Sequence, residues 1–426
     1  MEAYLLGITM GLVSGLIPGV GNFVLLLLTW PFLYNFDVME LLIIYVSMAS
    51  ISQFIGSIPA IVFGIPGESS SFPAVQESRR LTTVEEVSKS ISGSALGSAF
   101  GGLVVAGLCF YFVQYLELIK YFYSTKLLVG LLLSVCIVMI FTIDNRWWVN
   151  ILLIVSGLLL GSVGYNSYLN TEFLTFGINS LWSGLPLIVV LICLFAIPQI
   201  LNNINIDVKK LGNCYEIGKI YILNPIYLFF STVIGFFGGL VPGLTTVFSS
   251  IAAYNVSLIF TKDPVKRIVV SETANNAGAF SMLLPLLLFG IPIIGSEAIL
   301  LFLMEQKGFS IASWDFIKSF KELSISLIYI NLIGLCIAWP LSRCVTLFYK
   351  ININVLMYLI LVSLFIVTLY TGYINFNMNY YLICFTLLAP IGACLRNINT
   401  LPLVFAFIVH DKLIDGVFRL HQILGV

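Results

Sequence analysis

The chain has 426 residues, of which 59% are hydrophobic and only 9% are charged, whereas an ordinary soluble domain has about 25% charged residues. This composition excludes a soluble fold and predicts a chain that is solvated by lipid. The 20 basic and 20 acidic residues cancel, so no basic surplus is present to attract nucleic acid. At about 20 apolar residues per crossing, the length predicts an all-α polytopic membrane protein with roughly 10 to 12 membrane elements.

The predicted apolar segments form two sets along the chain. The first set covers about residues 4–34, 40–64, 90–116, 127–143, 147–164 and 178–200. A polar stretch with three lysines follows at residues 201–222. The second set covers about residues 223–261, 268–304, 322–349, 354–371, 379–394 and 399–410. We therefore predict a first transmembrane repeat at 1–200, a linker at 201–222 and a second repeat at 223–426.

Two motifs that occur in both sets in the same order indicate an internal duplication. GLVSGLIPGV at residues 11–20 returns as GFFGGLVPGL at 235–244, and the Pro and FGIP positions of 59–66 return at 285–292. The loop at 261–267 is basic, whereas its counterpart near residue 38 has no Lys or Arg. Since basic loops lie on the cytoplasmic side, the two copies are predicted to be inverted. Six simple crossings per half would instead give parallel copies, unless one segment is re-entrant.

Proline and glycine interrupt the apolar runs at four places, residues 18–21, 57–71, 242–246 and 285–296. An interrupted helix leaves backbone groups without partners, which in lipid must be satisfied by protein or by a bound ligand. Proline kinks are the simpler explanation of any single interruption. Paired interruptions at corresponding positions of two halves instead favour the binding site of a transporter.

Polar residues cluster at these interruptions. A helix start after Pro66 can bind an anion through its N–H groups, and the adjacent amides of Asn275 and Asn276 can coordinate a cation or a substrate without burying a charge. The alternative for residues 271–276 (SETANN) is a solvated helix start at the membrane surface. The predicted substrate-binding residues are Ser57, Gly64, Pro66, Gly67, Glu68, Ser69, Ser70, Asn275, Asn276, Gly290 and Pro292. The broken-helix or ion-coupling candidates are Pro18, Gly19, Gly21, Asn22, Pro242, Gly243, Thr245, Thr246 and Glu272.

Other features exclude further chemistry or predict plain structural roles. His410 and His421 are the two histidines of the chain, and neither has an acidic residue at a metal-ligand spacing, so no metal is expected beyond transient Na⁺. No cofactor is expected either. The charged residues of 262–267, which include Arg267, are predicted to form a solvated loop.

Four segments resemble, in order, the large membrane subunit of the tripartite tricarboxylate transporters, the TctA family. They are GLVSGLIPGVGN, GSIPAIVFGIPGESSS, GLLLGSVGYNSYLNTEFLTFG and SETANNAGAFSMLLPLLLFGIP, which lie between residues 7 and 304. The resemblance implies a non-enzymatic permease that imports carboxylates by symport with Na⁺ or H⁺ across a bacterial or archaeal cytoplasmic (inner) membrane. It also implies a small membrane subunit and a periplasmic solute-binding protein as partners, and analogy with large permeases suggests a homodimer.

The chain departs from the family pattern at two positions. Gly64 stands where the family has Asn before Ile-Pro-Gly, and Ile293 stands where the family has Gly after Pro292. These departures leave open which carboxylate is carried and whether a divergent branch works without a binding protein. A membrane-embedded enzyme that uses a serine of 69–71 as nucleophile is a weaker alternative, because no histidine is near in sequence. A passive anion channel is the other alternative.

Overall fold

A computed structural model describes residues 1–17, 20–118, 125–143, 145–166, 171–202, 204, 220–240, 245–310, 315–348 and 353–424. The helices before the polar stretch are α1 (Glu2–Leu16), α2 (Asn22–Leu33), α3 (Val38–Phe63), α4 (Phe72–Ser78), α5 (Val84–Leu118), α6 (Thr125–Thr142), α7 (Trp147–Gly161), α8 (Leu187–Leu191) and α9 (Ile197–Asn202). Those after it are α10 (Pro225–Leu240), α11 (Thr246–Phe260), α12 (Pro264–Ser281), α13 (Leu283–Phe289), α14 (Gly295–Gln306), α15 (Phe316–Phe348), α16 (Ile353–Ile374), α17 (Met378–Cys394) and α18 (Leu401–Leu424). Short 3₁₀ turns lie at Ser69–Ser71 and Asn179–Ser183, and a π turn at Ile192–Ala196 joins α8 to α9. The strands β1 (Gly164–Asn166) and β2 (Thr171–Phe173) form one antiparallel pair.

Four of the described helices are long and apolar enough to cross a membrane, at Val38–Phe63, Val84–Tyr115, Phe316–Ser342 and Asn354–Ile374. Large apolar side chains on α16, such as Leu359, Val362 and Ile366, are exposed, as expected where lipid replaces water. The prediction of an all-α, multi-pass membrane protein is confirmed. The number of membrane elements stays a prediction, and most of the predicted linker lies outside the described residues.

Glycines let α1 pack directly against α3. They recur every fourth residue of α1, and a Cβ at Gly11 would lie 2.7 Å from the Met48 carbonyl oxygen, while one at Gly15 would lie 2.8 Å from that of Ser52. Because the contacted residue numbers rise together, the two helices run parallel. Small residues at this spacing are the usual device for close approach of membrane helices. The same device recurs between α10 and α12, where Gly235 contacts Ala274 and Gly239 contacts Gly278.

Helix α5 runs parallel to α12 by the same criterion. Gly93 lies against Val269, Gly97 against Thr273, and Gly101 against Thr273 and Ala277. Helix α15 packs in turn on α3, and α5 and α15 also pack on each other. Helices from the two predicted halves therefore interlock, and each half supplies one long helix that packs on the other half.

Helix α3 ends at Gly64 (φ 67°, ψ 27°) and α13 ends at Gly290 (φ 63°, ψ 33°), the same left-handed conformation. In both places a backbone N–H reaches back 3.4 Å to a proline carbonyl, from Ile65 to Pro59 and from Ile291 to Pro285. Glycine adopts this conformation without the steric cost that a Cβ imposes. The recurring FGIP motif is thus a helix-ending turn.

The predicted extent of these two interruptions was wrong, because Pro59 does not break its helix, and near Pro285 the helix stops only at Met282, between α12 and α13. Pro59 lies inside α3, where the rest of the hydrogen-bond ladder continues past the one missing donor. Pro285 is the third residue of α13, a position whose N–H would have no partner within the helix. Ser57 also belongs to the unbroken α3. The interruptions begin at Gly64 and Gly290.

Candidate functional site

The segment from Gly64 to Ser78, here called the first hairpin, folds back along α3. Gly67 N–H donates to the Gly56 carbonyl (3.3 Å), so the chain has returned past about two turns of α3. It then turns outward, and the Ser78 hydroxyl lies 3.6 Å from where a Gly64 Cβ would be. The first hairpin therefore enters and leaves at the same end of α3.

Gly67 sits where the first hairpin presses against two helices. A Cβ at this position would lie 2.7 Å from the Gly56 Cα and would overlap the Gly15 carbonyl oxygen. Only a residue without a side chain fits between these backbones. The glycine that ends the GIPG motif is therefore needed for packing, and Gly15 of the other recurring motif forms part of the same contact.

A second hairpin begins at Gly290 and continues into α14. The Glu297 carboxylate accepts hydrogen bonds from the N–H groups of Ile293 (2.6 Å) and Ile294 (3.4 Å). Lys412 of α18 donates to the Gly290 carbonyl at 2.8 Å. The N–H groups of Ile293 and Ile294, just before α14, are thus occupied by a carboxylate of the same chain, so these two donors are not free to hold a substrate anion.

The SETANN segment lies in the middle of α12, and the interpretation of it as a solvated helix start was wrong. Helix α12 begins two turns earlier at Pro264, where the Asp263 carboxylate accepts from the Val265 N–H at 3.0 Å. Glu272 and Asn275 are both 0% exposed, and Asn276 is 4% exposed. The residue that caps α12 is therefore Asp263, and the SETANN side chains are buried between helices.

Glu272, which is buried, and the first hairpin come together at one place, where Glu68 is partly exposed. Glu68 and Ser71 lie near the Glu272 carboxylate, although the Ser71 hydroxyl has no hydrogen-bond partner in the described part of the chain. Ser52 of α3 contacts the Glu68 carboxylate at 3.4 Å. Asn275 donates to Glu272 at 3.4 Å. We call these five residues the hairpin–α12 centre.

The hairpin–α12 centre is short of partners. Within the described part of the chain, Glu272 Oε1, Asn275 Oδ1 and the hydroxyl of neighbouring Ser70 have no hydrogen-bond partner, and neither carboxylate forms an ion pair there. A buried carboxylate without a positive partner is costly. The centre is therefore suited to take up protons or cations together with polar ligand groups.

A buried ion pair fastens the first hairpin to α12, and it corrects the prediction that Arg267 lies in a solvated loop. Arg267 is 6% exposed and Glu77 is 1% exposed, and their side chains are 3.1 Å apart. The Tyr254 hydroxyl donates to the same Glu77 oxygen at 2.7 Å, while Arg80 approaches the other oxygen at 3.2 Å. Arg267 belongs to the first turn of α12 and not to the charged loop that precedes it.

The remaining predicted residues have varied positions. Ser57 donates to the Phe54 carbonyl of its own helix at 2.9 Å. Asn22 accepts from Ser14 at 2.8 Å beside the start of α2, which follows Gly21, and Thr245 precedes Thr246 at the start of α11. Pro18, Gly19, Pro242, Gly243 and the side chain of Ser69 lie outside the described residues. Pro66 lies in the first hairpin and Pro292 in the second.

Sequence reasoning missed buried polar residues inside long apolar helices. Gln53 of α3 and Asn331 of α15 are 2% and 1% exposed, and neither is near a proline or glycine interruption. A signal was available, because an amide within a membrane helix is expensive and marks a functional position. Proline and glycine interruptions alone do not reveal such positions.

Comparison with known proteins gives one family and one curated relative. The family model described as "Tripartite tricarboxylate transporter TctA family" matches residues 1–405. An "Uncharacterized 52.8 kDa protein in TAR-I ttuC' 3'region" of Agrobacterium vitis is 27% identical over 301 residues, which are 67% of this chain and 60% of the relative. The chain thus matches less than two thirds of that relative's length. No solved structure matches the chain.

Proposed function

Since the chain belongs to the tripartite tricarboxylate transporter TctA family, we propose that it is a permease that imports a small tricarboxylate or dicarboxylate by secondary active symport. The driving gradient is of sodium or protons, and the membrane is a bacterial or archaeal inner membrane. The family is one of transporters, which disfavours the membrane-embedded enzyme. The proposed partners are a small membrane subunit, a periplasmic solute-binding protein and a second copy of this chain.

One observation supports this function above the others, the hairpin–α12 centre. Its two carboxylates, Glu68 and Glu272, lie together without a basic partner among the described residues. Two ionised carboxylates would repel the carboxylate of a substrate. A carboxylate substrate can therefore bind beside them only after protons or cations have neutralised them, and this requirement couples the substrate to the ion.

In the proposed mechanism, the ion binds at Glu272 and Glu68 first. Asn275, whose oxygen is unpartnered, contributes a neutral ligand at no cost in buried charge. The substrate carboxylate then accepts hydrogen bonds from the hydroxyls of Ser70 and Ser71 in the first hairpin. This order makes uptake of the acid depend on prior uptake of the ion, as symport requires.

We propose that the two halves are inverted repeats. The end of the first hairpin, at Ser78, lies beside Gly64 at the C-terminal end of α3, and the neighbouring Glu77 pairs with Arg267 in the first turn of α12. The end of α3 is therefore level with the start of α12, which is the relation of antiparallel helices. Since α3 and α12 occupy equivalent positions in the duplicated sequence, their antiparallel packing supports inversion.

Uptake into proteoliposomes tests the proposed function. The full chain is reconstituted alone, and labelled citrate and smaller carboxylates are offered with sodium and proton gradients imposed separately. Accumulation against the substrate gradient supports symport and identifies the ion. Equilibration without accumulation would instead identify a passive channel. If uptake occurs only after the small subunit and the binding protein are added, the partners are obligatory.

A further inference from the structure

A small cavity lies between α3, α12 and α15, apart from the hairpin–α12 centre. Its volume is about 10 Å³, which is room for one particle of the size of water. Helix α3 comes from the first predicted half, and α12 and α15 come from the second. The polar side chains that line it are those of Tyr45, Ser50, Gln53, Asn276 and Asn331.

Three residues that line this cavity have side-chain oxygens without hydrogen-bond donors. Ser50 Oγ, Gln53 Oε1 and Asn331 Oδ1 have no partner in the described part of the chain, and these side chains are 5%, 2% and 1% exposed. The Asn331 amide nitrogen donates to the Leu327 carbonyl at 2.8 Å. Three buried side chains that line one small cavity thus have acceptor oxygens without donors. Each buried acceptor without a partner costs folding free energy, which a bound cation or water molecule can restore.

Neutral hydroxyl and amide oxygens fit one kind of occupant. Hard oxygen ligands suit s-block cations, but divalent ions are normally held by carboxylates as well. No carboxylate or imidazole occurs among the residues that line the cavity, and the Tyr45 hydroxyl is already bonded to Ser296 at 3.1 Å. A proton therefore has no acceptor there that would hold it.

From these contacts we propose that the cavity binds one dehydrated monovalent cation of the size of sodium, coordinated by Ser50, Gln53, Asn276 and Asn331. Binding closes a contact between helices of both halves, and Tyr45 links the cavity to the second hairpin. This ion is additional to the one that binds at the hairpin–α12 centre, and the conclusion that it takes part in transport rests on the proposed function. The binding itself does not, since it can be measured without any substrate.

The test is the midpoint of thermal unfolding of the purified full chain in detergent, titrated with NaCl against choline chloride at constant ionic strength and pH. A ligand that binds only the folded state raises the midpoint in a saturable way. We expect such a rise with Na⁺, a weaker one with K⁺, and an apparent Kd for Na⁺ at least tenfold higher in Gln53→Leu and in Ser50→Ala. Ser363→Ala, a change of an exposed hydroxyl on α16, is the matched control and should keep the wild-type Kd.

Two outcomes would overturn the proposal. Equal midpoints in Na⁺, K⁺ and choline would mean that the cavity holds only a water molecule. A Na⁺ effect with the same Kd in both variants would place the ion elsewhere. Ser50→Ala removes a single oxygen, so it keeps the test decisive if Gln53→Leu fails to fold. Intact Na⁺ binding without substrate uptake would count against the proposed function and leave the cavity assignment standing.

Discussion

Gly67→Ala should displace the first hairpin and reduce uptake. The new Cβ would lie 2.7 Å from the Gly56 Cα and would overlap the Gly15 carbonyl oxygen. Both neighbours are backbone atoms of helices that pack along their length, so neither can rotate away. Overpacking of this kind costs about 1–3 kcal/mol, which corresponds to a roughly 5- to 150-fold change in the population of the correctly seated hairpin.

The assay is the initial rate of substrate uptake into proteoliposomes with matched amounts of folded protein, together with the unfolding midpoint in detergent. The control is Gly107→Ala in α5, where a Cβ would meet nothing within 4 Å. We expect the uptake rate to fall at least fivefold for Gly67→Ala and to stay unchanged for the control. Wild-type uptake by Gly67→Ala would refute the view that the first hairpin must sit against Gly15 and Gly56.

Three other substitutions test separate parts of the structure. Glu272→Gln should abolish accumulation against a gradient yet retain substrate exchange at equal concentrations. The control Glu322→Gln, at an exposed position of α15, should keep both accumulation and exchange. Accumulation by Glu272→Gln would show that Glu272 has no part in ion coupling. Arg267→Met should lower the free energy of unfolding by about 3–5 kcal/mol, because it leaves Glu77 buried without its main partner. In the same unfolding measurement, the control Arg80→Met should lower it by only about 0–1 kcal/mol, because the Arg80 side chain is 54% exposed. Gly290→Ala should lower the free energy of unfolding by about 1–2 kcal/mol, because a side chain is strained at the positive φ of this position. An unfolding midpoint as high as that of the wild type would contradict the left-handed turn.

The helix-ending turns could be predicted from the sequence because their signal is local. The repeated FGIP motif places a glycine where the chain must become left-handed, and the structure shows equal conformations at Gly64 and Gly290. The effect of Pro59 could not be predicted in the same way. A proline inside a membrane helix either breaks it or is accommodated, and the choice depends on neighbouring helices that the local pattern does not reveal.

The hairpin–α12 centre was predicted in part. Glu68, Glu272 and Asn275 were found because they are polar residues beside interruptions, and they do come close together. The pairing of Arg267 with Glu77 was missed because the two residues are far apart in sequence, and their contact depends on the antiparallel packing of α3 and α12. Gln53 and Asn331 were missed because no interruption marks them, although their burial cost alone would have singled them out.

Loss of accumulated substrate after collapse of the ion gradient tests the central claim most directly. Proteoliposomes that hold the full chain, with its partner proteins if these are needed for uptake, would first accumulate labelled citrate under an imposed gradient, and an ionophore for that ion would then be added. Secondary symport predicts accumulation above the external concentration, followed by efflux to equality once the ion gradient is gone. If the label never rises above the external concentration, or if it is retained after the ionophore is added, the account of this chain as an ion-coupled carboxylate permease is contradicted.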